Sequence, residues 1–400
     1  MNPIPYGKQF ISDKDIEAIT ETLLSDYLTQ GPKIEEFEKA FSIYVGSKYS
    51  VAVSNGTAAL HLCALALDLQ PGDKVITTPI TFAASANCIK YCGGEVVFSD
   101  IDRESYLIDI EKIKELLSNS PKGTYKGIVP VDFGGRAVNL EKLKDLANEY
   151  GLWIIEDACH SPGGFFTDSK GEKQFCGNGK FADLAIFSFH PVKHIATGEG
   201  GMITTNNKQL YEKLLMLRSH GITRRKELFQ NDPSLAIGTE ENNDINYPGW
   251  YMEMQILGYN YRLTDFQAAL GISQLERANE GLEKRKQIAR KYEKAFDNFA
   301  FIKKQVGYID GHAYHLYIIE IDNRLELYNY LRSKSIFAQV HYIPTHLMPY
   351  YKQLGYKFGD YPESEAYYST CLSLPMYPTL TSKEQEYVIS TILNFFTNKP

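Results

Sequence analysis

The sequence predicts an α/β protein in which a mostly parallel sheet lies between helical layers and a smaller α+β unit follows. The first reason is alternation: between about residues 48 and 205, short apolar runs of strand character alternate with helix-forming stretches. The second is the run that ends in Glu156 and Asp157, apolar until it closes on two carboxylates, as a buried parallel strand does at the functional edge of an open sheet. The third is a change of character near residue 265, where a long amphipathic helix replaces the alternation. A larger unit is therefore expected at 1–255 and a smaller one at 256–400.

Strands are expected at 49–53, 74–77, 95–99, 127–131, 153–156, 184–188 and 201–204. The second unit opens with a helix from 265 to about 298, broken near Glu280. A strand at 317–321, a helix at 324–334, a strand at 338–342 and a final helix from Ser382 complete it.

Lys193 stands between an apolar run and a glycine cluster. Lysine is seldom buried unless its charge is lost or paired. Schiff-base formation with a carbonyl, such as that of pyridoxal phosphate, removes the charge. Such a cofactor needs a cradle for its phosphate, a carboxylate facing the pyridine nitrogen and a flat group against the ring. Residues 50–60 offer the cradle: a strand, a small-residue turn and a helix starting near Gly56 leave free backbone N–H groups beside the Thr57 hydroxyl. Ser188, five residues before the lysine, reaches the same phosphate if the chain turns at Pro191. Adjacent strand residues face opposite ways, so only one of Glu156 and Asp157 can point into the site, and Asp157 is assigned. An acid facing a pyridinium stays ionised. Phe82 is the flat group. Each has an ordinary alternative: a helix cap for Thr57 or Asp157, core packing for Phe82.

The order of these motifs carries a resemblance. Ser-Asn-Gly-Thr-Ala-Ala-Leu, Thr-Pro-Ile-Thr-Phe, Glu-Asp-Ala, Ser-Phe-His-Pro-Val-Lys with Gly-Glu-Gly-Gly, and Leu-Gly-Tyr-Asn-Tyr-Arg-Leu-Thr-Asp-Phe-Gln follow one another as in the DegT/StrS family of nucleotide-sugar aminotransferases, which the chain resembles nearly end to end. The resemblance implies the aspartate-aminotransferase-like fold type I and pyridoxal phosphate as cofactor. It matches Lys193 to the Schiff-base lysine, Asp157 to the pyridine partner, Phe82 to the stacking ring, and Gly56, Thr57 and Ser188 to the phosphate contacts. Asn260 matches an asparagine reaching the phosphate from a neighbouring subunit, which implies a homodimer. His160 stands where relatives carry Gln or His near the ring hydroxyl; a structural histidine is the open alternative.

A narrower resemblance, to the pseudaminic-acid-pathway transaminases of that family, rests on Tyr6, on Leu28, Thr29, Gln30 and Gly31, on His315, Leu316 and Tyr317, and on the stretches 338–342 and 372–375. It implies that the first three groups bind a UDP-linked 4-keto sugar, with L-glutamate as amino donor. Other keto-sugar nucleotides, dTDP- or GDP-linked, and a non-catalytic regulator of the same fold are the alternatives. The dehydratase branch replaces the lysine that is present here. Two departures stand out: Cys159 and Ser161 flank His160, and the stretch 226–258 is longer than relatives need, which suggests an aromatic flap near a dimer interface.

Composition excludes several classes. A net charge of −7 with mixed signs lacks the basic stripe of a nucleic-acid binder. No run approaches the ~20 apolar residues of a membrane span, and the N-terminus lacks the features of a secretion signal, so a cytoplasmic location is expected. No metal is expected: the six cysteines lack paired Cys-x-x-Cys spacing, and Pro191 interrupts the His190/His194 pair. No Gly-x-Gly-x-x-Gly for a nicotinamide nucleotide occurs. The anionic sugar nucleotide wants positive charge, for which Lys8, Arg224, Arg225 and Lys226 are candidates.

Overall fold

The computed structural model describes residues 2–237, 247–304 and 307–397. Its central sheet has seven strands in the order Tyr49–Val53, Gly201–Thr205, Leu184–Ser188, Trp153–Asp157, Tyr125–Val129, Lys74–Thr77 and Glu95–Phe98. Only Gly201–Thr205 runs against its neighbours. All seven expected strands are present. The largest shift, 127–131 to Tyr125–Val129, follows from Pro130: it has no N–H for a ladder, and its carbonyl instead accepts the Asp157 N–H at 2.9 Å.

Alternation along the buried strands divides the core. Val75, Ile155 and Ile186 face helices Gly56–Ala66, Ala84–Tyr91 and Lys208–Arg218, whereas Ile76, Ile128 and Ile154 face helices Ile110–Ser118 and Leu140–Tyr150. Helix Gly56–Ala66 is apolar nearly all round because it is covered on all sides. Since six strands run the same way, the loops after Val53, Thr77, Val129, Asp157 and Ser188 converge on one edge.

The later part of the chain builds a three-stranded antiparallel sheet, Lys303–Lys304, Tyr317–Glu320 and Cys371–Leu374. It packs against helices Ala278–Phe296, Arg324–Ser333 and Ser382–Thr397. Strand Ile4–Pro5 joins this part of the molecule, not the rest of 1–255: it pairs in parallel with Ile336–Phe337, and Ile4 is buried in the same core. Flanking prolines hold it extended, which suits an edge strand.

The helix from 265 is broken as expected near Glu280, at Arg277, into Asp265–Glu276 and Ala278–Phe296, and the Arg277 side chain at the break donates to Asp15 and to the Phe10 carbonyl. One expectation is corrected. The strand at 338–342 is not a ladder: Ile336–Phe337 pairs with the N-terminus, and Gln339 then exchanges hydrogen bonds of 3.1 and 2.7 Å with Ser373. Of the stretch 226–258, residues 238–246 lie outside the described residues. Beside them Phe229, Tyr247 and Tyr251 pack ring on ring at 4.8 to 5.2 Å. Among the described residues no helix is long and apolar enough to cross a membrane.

One ion pair fixes the N-terminal segment that carries Tyr6. Asp15, fully buried, accepts from Arg277 Nη1 at 2.9 Å, from Arg277 Nη2, from Ser273 Oγ at 2.7 Å and from the Ser12 N–H at 2.7 Å. Burial alone would raise its pKa, but these donors outweigh it and hold the carboxyl below its ordinary value. Asp15→Ala strands the Arg277 charge, and urea melts should show a loss of about 3 kcal/mol. A depressed folded pKa gives stability that is present above about pH 4 and lost as pH falls through the native value. The variant should therefore lose less stability than wild type on acidification below pH ~4.

Candidate active site

The loops at the carboxyl edge enclose a cavity of about 650 Å³. Its floor at one end is the start of helix Gly56–Ala66. Asn55 caps the helix by accepting the Ala58 N–H at 2.8 Å, so the Gly56 and Thr57 amides, one turn too early for an intrahelical acceptor, face the cavity with the Ser188 hydroxyl nearby. A Cβ on Gly56 would come within 3.0 Å of the Ser188 Cβ, so the close approach of helix and strand calls for glycine. The result is an anion cradle of phosphate size.

Strand parity separates the two carboxylates. Asp157 points into the cavity, where Ser85 Oγ donates to its Oδ2 at 2.6 Å and the Cys159 N–H to its Oδ1 at 3.2 Å. The Thr81 hydroxyl lies 2.7 Å from Ser85 Oγ and steadies it in turn. Glu156 points the other way, into a sealed cluster with Asp132 and Cys176. Burial and the neighbouring Asp132 charge raise its pKa far above the ordinary value, while Asp132 keeps donors of its own in Ser161 Oγ at 2.6 Å and the Val138 N–H at 2.8 Å. Glu156 is therefore the neutral acid of that pair, and Ser161 ties the loop after Asp157 to the layer beneath it.

Lys193 enters from a turn closed by its N–H on the His190 carbonyl at 2.8 Å, with Pro191 at the position where its fixed φ is pre-set. The half-buried amine has its pKa lowered by burial, against the pull of Cys159 and Asp157, and Arg285 lowers it further. His160, His194, His315 and His341 surround it, each kept neutral chiefly by burial. A flat ring with a phosphate tail fits this donor set: cradle at one end, carboxylate at the other, amine between. Phe82, 63 % exposed, stands free on the wall, as a ring awaiting a face to cover would.

Of the residues expected here, Tyr6, Gly56, Thr57, Phe82, Asp157, His160, Ser188 and Lys193 all line the cavity. Leu28, Thr29, Gln30 and Gly31 do not: Thr29 bridges to Thr264, and the Gly31 N–H donates to Asp265 at 2.8 Å. Asn260 is exposed and bridges to Ser219. His315 lies behind the wall, its ring 4.2 Å from that of His160. The Leu316 and Tyr317 side chains are sealed in the core, because the entering strand alternates between two packed faces; Tyr317 Oη donates to Glu293 at 3.0 Å. Sequence reasoning missed Ser85, Cys159, His341 and Tyr342 as site residues. Ser85 was findable, one helical turn after Phe82.

Asp157→Asn should lower turnover by roughly 100-fold or more with the fold retained, measured by activity assay and thermal melts. Glu156→Gln, which mimics the neutral acid, should stay within about tenfold of wild type. The reverse order would make Glu156 the group that matters.

Comparison with known proteins agrees with this geometry. Residues 9–393 match the model of the DegT/DnrJ/EryC1/StrS aminotransferase family. The chain is 36% identical over 399 residues to the UDP-4-amino-4,6-dideoxy-N-acetyl-beta-L-altrosamine transaminase of Campylobacter jejuni, covering 98% of this chain and 97% of that one. It is also 36% identical over 398 residues to the spore coat polysaccharide biosynthesis protein SpsC of Bacillus subtilis, covering 97% and 96%. Among solved structures, Helicobacter pylori PseC, an aminotransferase involved in the biosynthesis of pseudaminic acid, superposes over 100% of both chains with a TM-score of 0.86 at 28% identity. The chain therefore belongs to the DegT/DnrJ/EryC1/StrS aminotransferase family and is a pyridoxal-phosphate-dependent sugar aminotransferase.

Proposed function

We propose that the protein transfers the amino group of L-glutamate to C4 of a UDP-linked 2-acetamido-2,6-dideoxy-4-hexulose. The observation that supports this most is the wall opposite the phosphate cradle. Tyr6, His341 and Tyr342 line it, and they come from the segments that resemble the pseudaminic-acid branch.

When bound, pyridoxal phosphate supplies an electron sink for the donor's Cα. The chain's residues do the rest. Gly56 and Thr57 amides and the Ser188 hydroxyl would hold the cofactor's phosphate, and Asp157, kept in one orientation by Ser85, would meet its ring nitrogen. Lys193 would tether the cofactor, and its amine, once free, would be the group placed to move a proton from the donor Cα. Burial lowers its pKa, the direction that favours the neutral amine able to take that proton.

In this reading a second copy completes the site. Asn260 is exposed outside its own cavity, and Trp250, Met252, Met254 and Leu257 leave apolar surface close by in the chain. A homodimer covers that surface and brings Asn260 to the neighbouring phosphate. A second reading keeps the chemistry but changes the nucleotide to dTDP or GDP; 30% identity over 403 residues to the GDP-perosamine synthase of Escherichia coli O157:H7 favours it.

Incubation with glutamate and a panel of keto-sugar nucleotides, with products read by mass and NMR, should give 2-oxoglutarate and a 4-amino sugar from the UDP-linked substrate. Turnover confined to dTDP or GDP sugars would select the second reading, and binding without 2-oxoglutarate would mean a non-catalytic regulator. Mixing inactive Lys193→Ala with Asn260→Ala subunits should restore about a quarter of wild-type activity, since half the dimers then hold one intact site. Self-contained subunits would restore none.

A further inference from the structure

The hydrogen bonds around His160 have a direction. The Gly134 N–H, necessarily a donor, meets His160 Nδ1 at 3.3 Å. Gly134 adopts a positive φ of 68°, and a Cβ on its neighbour Gly135 would come within 2.8 Å of the His160 carbonyl oxygen, so this glycine pair is what lets the amide approach. An imidazole that accepts at Nδ1 carries its proton on Nε2. Burial, with Lys193 close by, keeps the ring from taking a second proton.

His160 Nε2 lies 3.3 Å from the Tyr342 hydroxyl oxygen, which therefore accepts. The Tyr342 hydrogen remains, and among the described residues no acceptor takes it. Tyr342 lines the cavity, 6.2 Å from Phe82 between ring centroids. It packs against Phe133 at 6.0 Å and stacks on the His160 ring at 6.2 Å, which is itself backed by His315 at 4.2 Å.

We propose that Tyr342 is a further catalytic residue, an O–H donor aimed by His160 at a ligand oxygen that carries or develops negative charge. No covalent bond changes at Tyr342; the hydroxyl stabilises the charge by hydrogen bonding. Such an oxygen has two sources, the ring oxygen of the cofactor and the carbonyl oxygen of the keto sugar. The second source rests on the substrate class proposed above, the first does not. His160 is the positioning residue.

The first test needs neither ligand: ¹⁵N NMR of cofactor-free enzyme should show His160 with its proton on Nε2, and a proton on Nδ1 would overturn the proposal. Tyr342→Phe is then loaded with pyridoxal phosphate, and three quantities are followed: the pH titration of its visible absorption, the glutamate half-reaction, and the return half-reaction with whichever keto-sugar nucleotide the wild type accepts. A titration midpoint moved by about half a unit or more assigns the donor to the cofactor oxygen. An unmoved midpoint with the return half-reaction alone slowed about 100-fold assigns it to the sugar carbonyl. An unmoved midpoint with both half-reactions within about twofold of wild type overturns it. His160→Leu should reproduce the Tyr342→Phe behaviour, and His160→Gln, which keeps an N–H donor, should restore most of it. A wild-type response from His160→Leu would refute the relay. The tautomer and the glutamate half-reaction read out even if the sugar assignment fails.

Discussion

The shared direction of six strands is the constraint from which this site follows. Parallel strands deliver all their carboxyl ends to one edge, so residues scattered from Asn55 to Lys193 meet without any segment leaving regular structure for long. The same geometry sorts side chains by parity. Asp157 faces the cavity and Glu156, its neighbour, faces a sealed layer below. One step along the strand separates a carboxyl group open to the cavity from a sealed, neutral acid.

Charge burial is the recurring cost, and each buried charge is met differently. Asp15 is satisfied by a guanidinium and hydroxyls. Glu156 gives up its charge to its environment. Arg285 is fully buried without a carboxylate among the described residues; it donates to the carbonyls of Tyr314, His315 and Met376, and so clamps the loop that backs the histidines. Lys193 sits at the balance of these fields, half-buried, with cations and carboxylates acting on it in opposite senses.

What was legible in the sequence is what is local. The cradle at Gly56 and Thr57, the turn at Pro191 and the lysine beyond it are contiguous motifs whose geometry follows from a few neighbouring residues. The choice between Glu156 and Asp157 needed the phase of a strand that is apolar on both faces, which composition does not reveal. Ser85, Tyr342 and the His160–His315 stack depend on contacts across 72, 182 and about 155 residues of chain, and no local pattern announces them. Leu316 and Tyr317 show the converse: a segment that resembles a binding motif is claimed by core packing. The helix break near residue 280 was legible, but the carboxylate that holds Arg277 there lies more than 250 residues earlier.

The pairing of Ile4–Pro5 with Ile336–Phe337 has a consequence for how the protein is made. Tyr6, next to this strand, lines one wall of the cavity, and the strand's partner is synthesised more than 300 residues later. The central sheet, whose strands all lie before Lys208, can form first, but that wall stays open until residues 336–337 have been made. A nascent chain that has not reached those residues can therefore own the whole anion cradle and still lack the wall that closes the cavity, which ties competence of the site to a segment far along the polypeptide.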